Sequence, residues 1–105
     1  MTTEKKFVNA LFATQDIWDQ MTFGSLIRSL RISDDITQVD LAKKLNVSKQ
    51  FLSDVEHDRK DVGMEFAKKF AKVTGYSIEP LLELLILNQL KKSNLNYSVQ
   101  LKKAS

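Results

Sequence analysis

Two short helices separated by a tight turn are the feature that most constrains the fold of this chain. Thr37 and Ser48 are residue types that favour helix N-caps, and each precedes a short segment with apolar residues at helical spacing. Asn46 lies between the segments as a turn residue, because Asn tolerates a positive φ. The inward positions of the two segments are Leu41, Ala42, Leu45, Phe51, Leu52 and Val55. The sequence therefore predicts two helices that meet at a sharp angle, a helix-turn-helix motif.

Three further helices follow from the same spacing, at about residues 23–32, 63–74 and 78–92. Gly75 stands where a helix stop is expected, and Ser77 precedes the last helix. The 105 residues include only three Gly and one Pro, fewer turn residues than an all-β domain needs. We therefore expect an all-α domain of five helices, with a core that includes Leu41, Ala42, Leu45, Leu52, Val55, Phe66, Phe70 and Leu82.

Four segments carry a resemblance to a known family. They are the first helix Phe23–Arg31, the core segment Ile36–Ser48, the segment Phe51–Glu56 and the start of the fifth helix, Tyr76–Leu82. Together residues 23–82 resemble the Xre/Cro-type helix-turn-helix family, the fold of the small phage repressors. The resemblance implies a lambda-repressor-like five-helix fold that binds double-stranded DNA.

The same resemblance implies roles for particular residues. It makes residues 49–56 the recognition helix that enters the major groove. Gln50 would bond adenine bidentately, whereas Asp54 would either accept from cytosine N4 or repel the backbone. The base-reading residues would be Lys49, Gln50, Ser53 and Asp54. The residues that contact phosphate would be Thr37, Gln38, Ser48, His57, Arg59 and Lys60. Arg31 and Glu56 would form a structural salt bridge.

The chain departs from the family pattern at three turns. Asp35 and Asn46 replace the usual glycines, and His57-Asp58 replaces the usual Asn-Gly after the recognition helix. Residues 37–60 hold five basic and four acidic residues, so one subunit would release few counterions. We therefore expect DNA affinity to require a homodimer.

Two flanks surround the DNA-binding domain of residues 23–92. Residues 1–22 form an N-terminal extension with an amphipathic helix at about residues 4–13, which would pack, complete a dimer or bind another protein. In the tail, residues 93–105, apolar and polar residues alternate from Leu95 to Leu101, which predicts a short strand unless the terminus frays. The predicted dimer interface consists of Leu84, Ile86, Leu87, Leu90, Tyr97, Val99 and Leu101. The alternative is that the N-terminal segment covers the apolar residues of the fifth helix, Leu84, Ile86, Leu87 and Leu90, within one chain.

Several classes of function conflict with the composition. The chain has no Cys and one His, so we expect no metal site and no thiol nucleophile. It has neither a Gly-rich phosphate loop nor a nucleophile motif, so we expect neither a cofactor nor an enzyme. We expect no signal peptide, no segment that spans a bilayer, and a cytoplasmic protein.

The sequence thus predicts a transcriptional regulator that binds a palindromic operator as a homodimer. One alternative is an antitoxin-like protein that regulates its own gene through the same domain. It would hold a toxin through residues 1–21 or 95–105. A second alternative is a protein-interaction module that has lost DNA binding, since Asp54 and Asp58 place negative charge near the recognition helix.

Overall fold

A computed structural model of the chain describes residues 20–104. That part folds into five α-helices, with no β-sheet among its residues. The N-terminal extension, apart from its last residues, lies outside the described part. The helices are α1 (Phe23–Ser33), α2 (Gln38–Leu45), α3 (Lys49–Glu56), α4 (Met64–Thr74) and α5 (Ile78–Lys92). The all-α class and the five helices expected from the sequence are confirmed.

Side-chain caps set where the first three helices begin. Thr22 Oγ1 accepts a hydrogen bond from the Ser25 N–H at 3.1 Å, and Ser25 Oγ accepts one from the Thr22 N–H at 3.2 Å. Thr37 Oγ1 caps α2 at 3.1 Å, and Ser48 Oγ caps α3 at 2.9 Å. These bonds satisfy backbone donors that have no partner inside a helix. Ser77 stands at the N-cap of α5 without a side-chain cap bond.

Left-handed residues end two of the helices. Asn46 ends α2 with a φ of 57°, and Gly75 ends α4 with a φ of 86°. Both residue types adopt this region at lower cost than others, because Gly lacks a Cβ and Asn bonds locally. The two predicted helix stops are therefore confirmed.

All five helices contribute side chains to one hydrophobic core. Of the core residues expected from the sequence, six are buried, whereas Phe66 and Leu82 are half-buried and pack against the core from its edge. The ring of Phe70 stacks on Tyr76, with centroids 6.4 Å apart and planes 8° apart. The buried set also includes Phe23, Leu26, Ile27, Leu30, Ala67, Leu81 and Leu85.

The position of α5 corrects the predicted dimer interface. Leu84 is fully buried and Leu87 is only 7% exposed, and both belong to the core of a single chain. The helix packs against α4 and α1, so it is covered on more sides than the sequence pattern indicated. Ile86 and Leu90 are half-buried. Leu84 and Leu87 are therefore core residues and do not form a surface for a second copy.

The C-terminal tail forms no strand among residues 95–104, which corrects the strand expected from its alternating pattern. Val99 packs against the core, and the Leu101 N–H donates to Glu83 Oε2 at 2.8 Å. The side chains of Tyr97 and Leu101 are 64% and 37% exposed. A strand needs a hydrogen-bonding mate, and the tail contacts a helix in its place.

None of the five helices is both long enough and apolar enough to cross a membrane.

Candidate nucleic-acid interface

The turn between α2 and α3 holds the two helices in a fixed relation. The Asn46 N–H donates to the Lys43 carbonyl at 3.1 Å, and the Val47 N–H donates to the Ala42 carbonyl at 2.9 Å. Val47 also packs against the core. Because Ser48 then caps α3 directly, the turn has few residues that could change conformation. The first turn of α3 is therefore held in place by α2.

The core fixes which residues α3 presents to solvent. Leu52 and Val55 are buried, and the ring of Phe51 lies 6.3 Å from the ring of Phe66 in α4. The opposite side of α3 carries two exposed and two half-buried polar residues, which we call the recognition face: Lys49, Gln50, Ser53 and Asp54. The structure thus brings together on one side of the helix the residues that the resemblance assigned to base contacts.

Asp54 is the most connected residue of the recognition face. Its Oδ1 accepts hydrogen bonds from Gln50 Nε2 and from Arg59 Nε, each at 2.9 Å. The bond from Arg59 holds the pKa of the Asp54 carboxyl below its usual value, and the bond from Gln50 acts in the same direction. The carboxylate therefore stays ionised beside a guanidinium, which offsets its charge.

The residues assigned to phosphate lie around the two ends of α3 and at the start of α2. The hydroxyls of Thr37 and Ser48 serve as caps, so the backbone N–H groups of those first turns are the groups that could face an anion. His57 Nδ1 lies 2.8 Å from the Ser53 carbonyl oxygen. Lys60 Nζ lies 5.1 Å from the centroid of the Phe51 ring, within the range of a cation–π contact.

The side chain of Gln38 is bonded within the protein, whereas the phosphate contact expected from the sequence is to the backbone N–H groups at the start of α2. Gln38 Nε2 donates to Glu56 Oε1 at 2.9 Å, so one N–H of the amide is used within the protein. The half-buried position of the residue explains this, because a buried carboxylate nearby offers the stronger acceptor. The backbone N–H of Gln38 and the second N–H of its amide remain suited to an anion.

Arg31 and Glu56 form the salt bridge that the resemblance implied. Arg31 Nε lies 2.7 Å from Glu56 Oε2, and Arg31 Nη2 lies 3.0 Å from Glu56 Oε1. Arg31 Nη1 also donates to the Ile36 carbonyl at 2.8 Å. The Glu56 side chain is fully buried, so this bidentate pair satisfies a charge that would otherwise be costly. The network joins α1, α2 and the end of α3.

Comparison with known proteins identifies this arrangement. The helix-turn-helix family matches residues 27–81, which is just over half of the chain. The chain belongs to the helix-turn-helix family. The Xre/Cro-type resemblance seen in the sequence is thereby confirmed.

Two relatives share this helix-turn-helix domain. The chain is 32% identical over 62 residues to the immunity repressor protein of Bacillus phage phi105, and the match covers 59% of this chain and 43% of the repressor. It is 38% identical over 55 residues to an HTH-type transcriptional regulator of Methanocaldococcus jannaschii, and that match covers 52% of this chain and 83% of the regulator. The chain thus spans less than half the length of the phage repressor. The family and these relatives support DNA-binding transcription regulation as the class of function.

A solved structure supports the helix-turn-helix fold. A hypothetical transcription factor from Neisseria superposes with a TM-score of 0.53 at 24% identity, over 68% of this chain and 79% of that one. At this level of identity the likeness concerns the fold alone.

The helix-turn-helix domain depends on two residues that the sequence analysis did not single out. A Cβ on Gly24 would lie 2.0 Å from the Val55 carbonyl oxygen, so only glycine allows α1 to approach α3 this closely. Asn88 Oδ1 accepts from the Phe23 N–H at 2.7 Å, and Asn88 Nδ2 donates to the Met21 carbonyl at 3.2 Å. The signal that could have identified Asn88 is its spacing, because it stands four residues after Leu84 and three after Leu85, on the helix face that those two buried residues occupy.

Within residues 20–104, no group of three or more His, Asp or Glu side chains could hold a metal ion. The recognition face and the loop after it carry amide, hydroxyl, ammonium and guanidinium groups, which are groups that form hydrogen bonds with base edges and phosphates.

Proposed function

We propose that the protein is a sequence-specific regulator of transcription that binds double-stranded DNA as a homodimer on a palindromic operator. The observation that carries this proposal is the recognition face of α3, which a buried core and a capped turn present to solvent as a rigid polar surface. Such a helix fits the major groove, where its side chains reach base edges. The protein would act where the DNA lies, in the cytoplasm, and without enzymatic activity.

The exposed residues of the recognition face suit base contacts. Gln50 carries an amide that matches the donor and acceptor on the edge of adenine. Lys49 lies at the first position of α3 and is exposed, so its ammonium can reach guanine or a phosphate. Ser53 is half-buried one turn after Lys49, and its hydroxyl can bond a donor or an acceptor on a base edge.

Phosphate contacts would fix the protein on the duplex. The N-cap residues of α2 and α3 are exposed, so the first-turn N–H groups there suit an anion, and Arg59 and Lys60 are exposed in the loop after α3. Such contacts orient a protein without reading the sequence. With five basic and four acidic residues in 37–60, two copies of the domain are needed for strong binding.

The test is fluorescence anisotropy of the full chain on duplex DNA from directly upstream of its own gene, with scrambled duplex of equal length for comparison. We expect selective binding that weakens as salt is raised, because phosphate contacts release counterions. Gln50→Ala should cost about 1–3 kcal/mol on the selected duplex and little on scrambled duplex.

The matched control is Lys72→Ala, which changes an exposed residue of α4 far along the chain from the recognition face. It should bind both duplexes as the wild type does. Equal and weak binding of the wild type to both duplexes would contradict the proposal and favour an interaction module that has lost DNA binding. Selective binding that Gln50→Ala leaves unchanged would place base recognition on other residues.

A further inference from the structure

Asp54 joins the recognition helix to the loop that follows it. Through its carboxylate it accepts from Gln50, one turn earlier in α3, and from Arg59, beyond the end of α3, each at 2.9 Å. Through its backbone carbonyl it accepts from the N–H groups of Arg59 at 2.8 Å and Lys60 at 3.2 Å. Four hydrogen bonds therefore converge on one residue. Their donors are Gln50, which is assigned to base contacts, and Arg59 and Lys60, which are assigned to phosphate contacts.

The bond to Gln50 determines how its amide is turned. A glutamine amide can rotate by half a turn, which exchanges its donor and its acceptor. With Nε2 directed at Asp54, one N–H of Gln50 is used, and the second N–H and Oε1 remain. Adenine requires one donor and one acceptor in a fixed order along its edge. The carboxylate therefore selects the orientation of Gln50 before DNA is bound.

The bond to Arg59 has a corresponding effect on the loop. Arg59 uses Nε for Asp54, and this leaves its two terminal nitrogens for a partner in solvent. Arg59 is exposed, and the backbone bond from its N–H to Asp54 holds the loop against the end of α3. The guanidinium thus lies beside the recognition face and donates to the same carboxylate oxygen as Gln50.

We propose that Asp54 is a positioning residue for DNA recognition, which orients Gln50 for a base and Arg59 for a phosphate without contacting a base itself. This inference rests on the proposed function. Both bonds are made to Oδ1, so turning that oxygen toward cytosine N4 would break the hydrogen bonds to both Gln50 and Arg59. Its charge is offset by the guanidinium, so the carboxylate repels the DNA backbone less than a free one would.

The experiment uses the full chain and a duplex selected by the wild-type protein from randomised double-stranded DNA. Each base pair of that duplex is then replaced in turn, and affinities are measured for the wild type, Gln50→Ala, Asp54→Ala and the double variant. We expect Asp54→Ala to lower discrimination about 3- to 10-fold, the effect of one hydrogen bond, at the same base pair that Gln50→Ala affects. In the double variant, the loss at that base pair should equal the loss in Gln50→Ala alone.

Two further variants separate positioning from other effects. Asp54→Asn keeps an acceptor oxygen but removes the charge, so it should retain more of the discrimination than Asp54→Ala. It also serves as the test variant if Asp54→Ala does not give the wild-type circular dichroism spectrum. Lys72→Ala, which changes an exposed residue of α4, should leave the affinity for every duplex unchanged.

The outcomes distinguish the two proposals. If the Asp54 variants lose discrimination at a base pair that Gln50→Ala leaves unchanged, then Asp54 reads a base itself and the positioning role is wrong. Wild-type discrimination at every position in both Asp54 variants would also overturn it. If the wild type selects no sequence at all from the random pool, the proposed function fails first, before any variant is measured.

Discussion

At the residue scale, acidic and amide side chains occupy three positive-φ positions where the Xre/Cro-type resemblance implies glycine. Asp35, Asn46 and Asp58 have φ values of 56°, 57° and 61°, and these are the three positions where the chain departs from the family pattern. Asp and Asn tolerate this region because their short side chains bond locally. Asp58 also accepts from Thr22 Oγ1 at 2.9 Å, which ties the loop after α3 to the start of α1. The left-handed turn conformation is thus present without glycine at all three positions, and the turn at Asp58 gains a tertiary contact.

Tyr76 makes the stability of the domain sensitive to alkaline pH. Burial raises the pKa of Tyr76 to about 12, and Asp34, whose Oδ1 accepts from the phenol at 3.1 Å, adds to the rise. The phenol of the unfolded chain titrates near its ordinary pKa of about 10. Between these two values the unfolded chain loses a proton that the folded chain keeps, so the free energy of unfolding falls as pH rises. Below about pH 10 the contribution of Tyr76 is complete.

We therefore expect Tyr76→Phe to flatten the decline in stability between about pH 10 and about pH 12. The measurement is urea unfolding followed by circular dichroism across that range. Tyr97→Phe is the control, because the Tyr97 ring is exposed and should leave the wild-type slope unchanged. A Tyr76→Phe variant with the wild-type slope would show that another group causes the alkaline decline.

At the element scale, α5 organises the domain. It buries Leu81, Leu84, Leu85 and Leu87, so its apolar residues lie on several sides of the helix. Its one half-buried amide, Asn88, holds the backbone at the start of α1 by two hydrogen bonds. The C-terminal part of the chain therefore fixes the position of α1, which in turn packs against the recognition helix at Gly24.

Replacing this amide should loosen the start of α1. We expect Asn88→Leu to lower the free energy of unfolding by about 1–3 kcal/mol, because the Phe23 N–H and the Met21 carbonyl lose their partner. Urea unfolding at neutral pH measures the change. Gln89→Leu makes the same substitution at the next, exposed position of α5 and should change stability by less than about 0.5 kcal/mol. Equal losses in the two variants would mean that added leucine in α5, and not the amide contact, is responsible.

At the scale of the whole molecule, the proposed homodimer needs a surface other than buried α5. Of the predicted interface, Tyr97 and Leu101 remain exposed, and Ile86, Leu90 and Val99 are half-buried. The exposed tail residues lie beside α5, since the Leu101 N–H bonds Glu83. A second copy that covers this tail is the interface we propose. A two-fold axis there would carry two recognition faces, as a palindromic operator requires.

Tyr97→Asp combined with Leu101→Asp should convert the dimer into monomers in sedimentation velocity, because each interface would carry four buried carboxylates. Met64→Asp is the control, since Met64 is an apolar residue that is also exposed, at the first position of α4. It should sediment as the wild type does. A double variant that remains dimeric would place the interface elsewhere, and a monomeric wild type would contradict the homodimer itself.

What the sequence determined alone is the local structure: the capped starts at Thr37 and Ser48, the left-handed stops at Asn46 and Gly75, and the inward face of α3. Each depends on bonds or sterics within a few residues, so residue type and spacing are sufficient to predict it.

Tertiary structure decided the rest. The amide of Gln38 donates to Glu56. Leu84 and Leu87 lie in the core, and Asn88 bonds the start of α1. The tail contacts α5 through the hydrogen bond from Leu101 to Glu83, and the described residues offer no strand for it to pair with. These outcomes depend on residues far apart in the chain, and periodicity along one helix cannot show which neighbour covers each side. The packing of elements that are distant in the chain determines which partner a polar side chain bonds and whether an apolar side chain is buried.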